Sequence, residues 1–270
     1  MKIVFVGAGS MAEAMIKGMK NSSEFKHTDI WVTNKHDHAR LDKLSEHYGV
    51  KSTYNFSELF DAADLIILAV KPKDAKEALS SVKPFYNRQL LISVLAGLSI
   101  SFIEQILGHG AIARAMPNTS AMIGESATGL SFNSQLSDSQ KAVARSIFSS
   151  IGSVTYVEES RLDLVTGLSG SGPAYIYYVV EAMEKAAAEL GEDAMPFIIQ
   201  TLKGAAHMLE TSNQSPENLR KAITSEGGTT EAGIAELDCR QVKDAFAACI
   251  KEATVHSERL RRQFEQTHSS

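Results

Sequence analysis

The start of the chain constrains the fold more than any other stretch. Ile3-Val4-Phe5-Val6 is an unbroken apolar run, and it passes directly into Gly7-Ala8-Gly9-Ser10-Met11-Ala12. An apolar run of this length reads as a strand buried on both faces of a parallel sheet. The glycine turn and the helical pattern after it complete a strand–turn–helix unit. A dinucleotide pyrophosphate needs all three parts, which makes the G-x-G-x-x-A spacing informative here. Gly7 permits the turn, Gly9 lets the backbone approach phosphate, and Ala12 lets helix and strand pack closely. The unpaired N–H groups at the helix start then face the anion.

The rest of the first half repeats this alternation. Strands are predicted at 2–6, 29–33, 50–53, 64–70, 90–94, 111–115, 127–132 and 153–157. Helices are predicted at 10–21, 37–48, 57–62, 73–82, 99–107 and 138–151, with Gly49 and Gly108 at C-terminal cap positions. Such alternation predicts an α/β fold with a doubly wound, mostly parallel sheet, Rossmann-like, over residues 1–158. After Glu158-Glu159 the period becomes helical throughout, at 171–190, 194–212, 216–223, 230–237 and 240–264. Residues 159–270 therefore read as an all-α domain, with Gln266–Ser270 as a frayed end. The helix at 171–190 is apolar on several faces (Ile176, Val179, Val180, Met183, Ala186, Ala187, Leu190). A helix of that kind must be buried, and a second subunit is its natural cover.

The bulk properties exclude several classes. Net charge is −5, which argues against a nucleic-acid partner. Cys239 and Cys249 are too few for a disulfide framework and suit a reducing compartment; buried helix faces are expected for both. No apolar run approaches the roughly 18 residues of a membrane span, and Met1-Lys2 leads straight into a core strand. A cytoplasmic protein without membrane association is expected. His36 and His38 have no Cys or carboxylate cluster around them, so no metal is expected.

The second strand distinguishes the cofactors. Binders of plain NAD usually carry Asp or Glu at its end for the ribose hydroxyls. Here it ends in Asn34-Lys35, with Arg40 one turn into the next helix, so uncharged and cationic groups stand where a 2′-phosphate would lie. NADPH is expected, with NADH the lesser alternative. Ala69-Val70-Lys71-Pro72 and Val94-Leu95-Ala96-Gly97 close later strands along the same crevice.

Three further segments are richer in small and polar residues than packing requires: Arg114-Ala115-Met116-Pro117-Asn118-Thr119, Leu168-Ser169-Gly170-Ser171-Gly172-Pro173-Ala174-Tyr175 and Thr224-Ser225-Glu226-Gly227-Gly228-Thr229-Thr230-Glu231-Ala232-Gly233. Glycines and hydroxyls just before a helix offer free N–H groups to a carboxylate. Together with GAGSMA and AVKP, in that order and spacing, these segments strongly resemble the pyrroline-5-carboxylate reductase family over nearly the whole chain. The resemblance implies NADPH-dependent reduction of 1-pyrroline-5-carboxylate to L-proline. It also implies a homodimer through interleaved helical domains, a ring of dimers, and an active site at the junction of nucleotide domain and dimer. Cofactor contacts are expected from Gly7, Ala8, Gly9, Ser10, Met11, Asn34, Lys35, Asn55, Ala69, Val70, Lys71, Pro72, Ala96, Gly97, Met116, Pro117 and Asn118. The family usually has proline where Glu226 stands, and proline and glycine where Ser120 and Ser126 stand.

Hydride transfer to a cyclic imine proceeds far better on the protonated iminium. No His, Asp or Lys lies in the GGTT or SGSGPAY segments, so positioning rather than side-chain acid catalysis is expected. Ser225, Gly228, Thr229 and Thr230 are the expected substrate contacts, with Ser225 and Thr230 in the catalytic role and Thr230 bonding the ring nitrogen. Glu158 or Glu159 would favour the iminium electrostatically. Two alternatives stand beside this reading. A 3-hydroxyacid or 6-phosphogluconate-type dehydrogenase would need a catalytic lysine near a glycine-rich turn, and neither Lys185 nor Lys203 has that setting. A regulatory paralogue would bind nucleotide without turnover, with Glu226 as the lesion.

Overall fold

The computed structural model describes residues 1–189 and 193–266. By its contacts the chain divides into two units. The first is Met1–Pro173 with the C-terminal helix from Lys251 onward, and the second is Ala174–Ile250.

The first unit is built on eight strands: β1 (Lys2–Val6), β2 (Asp29–Thr33), β3 (Lys51–Ser52), β4 (Leu65–Leu68), β5 (Leu90–Ser93), β6 (Ile112–Met116), β7 (Ser126–Phe132) and β8 (Gly152–Tyr156). They form one sheet in the order β3-β2-β1-β4-β5-β6-β7-β8. All neighbours are parallel except β6 and β7, where the chain reverses with Ala113 opposite Phe132. The order turns back at β1, between β2 and β4, and ligands of such sheets bind at that switch point.

Between the strands run α1 (Ser10–Asn21), α2 (His38–Tyr48), α3 (Phe56–Phe60), α4 (Ala75–Val82), α5 (Ile100–Leu107) and α6 (Asp138–Ser149). Alternation along β1 feeds two cores. Ile3 and Phe5 pack with Met15 and Ile16 of α1 and Phe148 of α6, while Val4 and Val6 pack with Leu79 of α4 and Ile103 of α5. Ile3, Val4 and Phe5 are wholly buried, each side chain of this kind stabilising by about 1.5–3 kcal/mol. Gly49 and Gly108 end α2 and α5 as expected, and Ser137 and Gln140 form a reciprocal capping box on α6.

One segment differs from the expected pattern. Residues before 171 are already helical: α7 (Leu162–Val165) runs into a π-turn at Thr166–Gly170 and then into α8 (Gly172–Glu189). The small residues serve close packing, since a Cβ on Gly170 would lie 2.8 Å from Met116 Cε and one on Gly129 would lie 2.9 Å from Val165. Glycine's poor helix propensity hides such a turn from periodicity alone.

The second unit holds the rest of α8, then α9 (Met195–Thr211), α10 (Pro216–Ala222), α11 (Thr229–Cys239) and the first part of α12 (Val242–Gln266). Its apolar side chains are largely uncovered: Ile176, Tyr177, Tyr178 and Met183 of α8 are all exposed, as are Phe197 and Met208 of α9. This is the expected signature of a helix that its own domain cannot bury. Cys239 and Cys249 are exposed in the single chain, against the expectation of buried faces, as are most residues of α11 and of the first part of α12. Leu190 and the tail beyond 266 lie outside the described residues.

The last part of α12 belongs to the first unit. Asp163 and Ser257 are buried together, with Ser257 Oγ donating to Asp163 Oδ1 at 2.7 Å and Arg261 Nε donating to Oδ2 at 3.0 Å. The ion pair ties α12 to α7 through a buried carboxylate and a partly buried guanidinium.

Candidate active site

A crevice of about 950 Å³ opens at the carboxyl ends of β1 to β4, at the upper end of ordinary ligand sites (about 300–1,000 Å³). Its floor is the glycine turn. Gly7 N donates to Thr33 O at 2.9 Å, and Gly7 has φ +112°, where a Cβ would overlap the Ala69 carbonyl. Gly9 caps α1 in extended backbone with no capping side chain, and a Cβ placed on it would meet no atom within 4 Å. The first-turn N–H groups of α1 therefore face open space with the positive end of the helix dipole behind them. Ala12 is wholly buried against the sheet.

The crevice wall holds Gly7, Ala8, Gly9, Ser10, Met11, Asn34, Lys35, Ala69, Val70 and Lys71 among the expected contacts. Pro72 begins the short 3-10 turn Pro72–Asp74, outside the wall, whereas its neighbours Lys71 and Lys73 line it. Asn55 is also outside. Its side-chain oxygen caps α3, accepting from Ser57 N and Glu58 N, so the carboxamide is committed to the fold while Tyr54 and Phe56 line the wall. Ala96 and Gly97 follow β5, Met116 ends β6, and Pro117 and Asn118 follow it, on the same edge of the sheet beyond the crevice. Gly97 is held at φ +72° beneath Leu260 and Arg261 of α12.

Asn34 is spent internally: its Oδ1 accepts from Asp37 N and Tyr54 Oη, and its Nδ2 donates to Asp37 O. Lys35 Nζ meets Glu77 Oε2 at 2.7 Å, with both side chains more than half exposed. The hydrogen bond and charge of Glu77 raise the Lys35 pKa. Exposed pairs of this kind contribute little and exchange readily for a better anion. Arg40, expected at the 2′-phosphate, lines the crevice with its guanidinium bonded to the glycine turn and Glu13. Burial opposes ionisation of Glu13, yet the hydrogen bond and charge of Arg40 and the Tyr48 hydroxyl hold its carboxyl below the usual value. The Thr33 hydroxyl, in the crevice wall, is buried without a partner. An orphaned hydroxyl, a cradle open above Gly9 and unpaired helix N–H groups fit a dinucleotide phosphate chain.

Two departures from the usual family residues support one another. Ser126 Oγ accepts from Asn118 N at 3.0 Å, a bond that glycine there lacks. Ser120 N donates to Asn118 Oδ1 at 3.1 Å, which proline could not do. Asn118 Nδ2 also donates to Ser169 O.

In the second unit, Ser225, Glu226 and Gly227 form a turn closed by Gly228 N donating to Ser225 O at 3.0 Å. A Cβ on Gly228 would lie 2.5 Å from Ser225 Oγ and 3.0 Å from Ser225 O, so a side chain there would displace the Ser225 hydroxyl. Gly228 is the cap of α11, Thr229 begins the helix and Thr230 follows half-buried. Thr230 is thus one residue inside the helix, and its hydroxyl is not the cap. Glu226 is exposed, and Glu231 Oε2 accepts from Gly227 N at 2.7 Å. Lys185 and Lys203 are exposed on α8 and α9.

Of the two glutamates after β8, Glu159 accepts from Ile100 N at 2.7 Å and Arg114 Nη1 at 2.9 Å. Glu158 is exposed. Among the described residues no group of three or more His, Cys, Asp or Glu is placed to hold a metal ion, and no helix is long and apolar enough to cross a membrane.

A doubly wound sheet with a glycine-turn crevice at its switch point, followed by an all-helical unit, defines the class of dinucleotide-dependent oxidoreductases. Residues 2–97 match the family described as NADP oxidoreductase coenzyme F420-dependent, and residues 159–260 match that described as pyrroline-5-carboxylate reductase dimerisation. Pyrroline-5-carboxylate reductase 2 of Bacillus subtilis is 48% identical over 97% of this chain and 96% of its own. The structure of a pyrroline-5-carboxylate reductase from Coxiella burnetii is 35% identical with a TM-score of 0.88, covering 96% of this chain and 97% of that one. The Plasmodium falciparum pyrroline carboxylate reductase, solved with NADP bound, is 28% identical with a TM-score of 0.84, covering 96% and 98%. The chain belongs to the pyrroline-5-carboxylate reductase family.

Proposed function

We propose that the protein reduces 1-pyrroline-5-carboxylate to L-proline with NADPH, with NADH as a poorer alternative. The observation that carries this reading is the presence, in one chain, of the dinucleotide crevice and the matched segment 159–260. NADPH, when bound, supplies the hydride that the imine carbon receives. The glycine turn and α1 N-terminus would hold its phosphates, and Lys35 would exchange Glu77 for the 2′-phosphate. The turn from Ser225 to Gly228 and the start of α11 would hold the substrate carboxylate, with Ser225, Gly228 and Thr229 as contacts. The Thr230 hydroxyl would orient the ring nitrogen. Glu158 would favour the iminium, because the Glu159 carboxylate is already committed to Arg114 and Ile100. A protonated imine arriving with its own proton leaves the protein the work of positioning.

Residues 1–158 would serve as the NADP-binding domain and 159–270 as the substrate and dimerisation domain. The uncovered face of α8 supports a homodimer, and a ring of dimers in the cytoplasm completes the proposal. An NADPH-oxidation assay with pyrroline carboxylate tests the reaction, and light scattering on the same preparation tests the assembly. Nucleotide binding without turnover would favour the regulatory paralogue. A stable, active monomer at micromolar concentration would overturn the dimer.

A further inference from the structure

We propose that Arg40 is a positioning residue for the glycine turn and not a ligand of the 2′-phosphate. The proposal rests on the crevice being the dinucleotide site. Arg40 Nε donates to Ala8 O at 2.7 Å, and Nη2 donates to Glu13 Oε2 at 2.6 Å and Gly9 O at 3.4 Å. Tyr48 Oη donates to the other Glu13 oxygen at 3.2 Å. The side chains of Arg40 and Glu13 are only 22% and 15% exposed, far less than the Lys35–Glu77 pair.

Peptide geometry turns these contacts into a functional statement. In a planar trans peptide the C=O and the following N–H point in opposite directions. Holding the Ala8 carbonyl towards α2 therefore aims the Gly9 N–H away from it, and holding the Gly9 carbonyl does the same for Ser10 N–H. A planar guanidinium reaches two successive carbonyls and a carboxylate from donors on two separate nitrogens, whereas an ammonium must crowd all three acceptors around one atom. Glu13 lies in the first turn of α1, so the same fork ties the turn to the helix whose dipole it serves. The Arg40 charge is largely balanced by Glu13. Arg40 thus sets the affinity for the pyrophosphate common to NADPH and NADH, while the exposed Lys35 carries the preference between them.

The test uses the full-length protein. Dissociation constants for NADPH and NADH are measured by nicotinamide fluorescence, alongside kcat and KM with each, for wild type, Arg40→Met, Arg40→Lys, Glu13→Gln and Lys35→Ala. Arg40→Met should raise both dissociation constants by the same factor, about tenfold, as expected for the loss of a charge-assisted bond. KM for both cofactors should rise while kcat keeps its value. Arg40→Lys should restore part of the loss, Glu13→Gln should show the same cofactor-blind pattern at smaller size, and Lys35→Ala should weaken NADPH selectively. An Arg40→Met variant that loses NADPH but binds NADH like wild type would make Arg40 a 2′-phosphate ligand and overturn the proposal. Unchanged affinity for both cofactors in Arg40→Met and Glu13→Gln would overturn it too. If wild type binds neither nucleotide, the crevice is not the cofactor site and the parent reading falls with it.

Discussion

Gly9 and Gly7 stand two residues apart in one turn, yet alanine at each should fail for opposite reasons. Gly9 has φ −73° and ψ −176°, a conformation open to any residue, and a Cβ there meets no atom within 4 Å. Alanine is a poorer helix cap than glycine by roughly 0.5 kcal/mol. It also restricts the unfolded chain, which returns about 0.4–1 kcal/mol. The two nearly cancel, so Gly9→Ala should melt within about 2 °C of wild type. The methyl group nonetheless fills the space that the phosphates need. Losing one or two charge-assisted bonds to the turn should cost about 1.5–3 kcal/mol, or roughly 10–100-fold in NADPH affinity. Gly7→Ala behaves differently. Its φ of +112° is strained for alanine, and the Cβ would overlap the Ala69 carbonyl and lie 2.8 Å from Val70 N. Strain and overlap together should cost about 2–6 kcal/mol, a large part of a typical margin of about 5–15 kcal/mol. Thermal unfolding by circular dichroism and NADPH titration separate the two cases. The reasoning is refuted if Gly9→Ala binds NADPH like wild type, or loses binding only alongside a matching loss of stability.

Thr230→Ala should leave stability nearly unchanged, because Gly228 and not Thr230 caps α11; catalytic efficiency should still fall by about 10–100-fold if the hydroxyl orients the imine. Wild-type kinetics in that variant would remove Thr230 from the proposed site. Tyr86 Oη is buried without a partner, and burial pushes its pKa up to about 12. The folded state therefore holds this proton more tightly than the unfolded chain, whose tyrosine titrates near pH 10. That contribution is intact below about pH 10 and is lost as pH rises towards the folded value. Tyr86→Phe should stabilise by about 1 kcal/mol at neutral pH by removing the orphan hydroxyl, and should flatten the alkaline limb of a stability–pH profile. A destabilised variant with an unaltered alkaline limb would refute this.

What the sequence by itself determined was local. The strands and helices of the sheet domain were legible within a residue or two because buried parallel strands and amphipathic helices write their period directly into the chain. The glycine turn was legible because its function demands particular residues at particular spacing. The uncovered apolar α8 was legible because a helix apolar on several faces admits few environments. Tertiary structure decided the rest, through contacts between residues distant in sequence. Arg40 lies 27 residues from Glu13, Arg114 lies 45 from Glu159, and Arg261 lies 98 from Asp163. A cation near the end of β2 looks the same in sequence whether it awaits a phosphate or braces the turn beneath it. Only the folded chain shows its partner, because a guanidinium's role is set by the hydrogen-bond acceptors brought within about 3 Å of it.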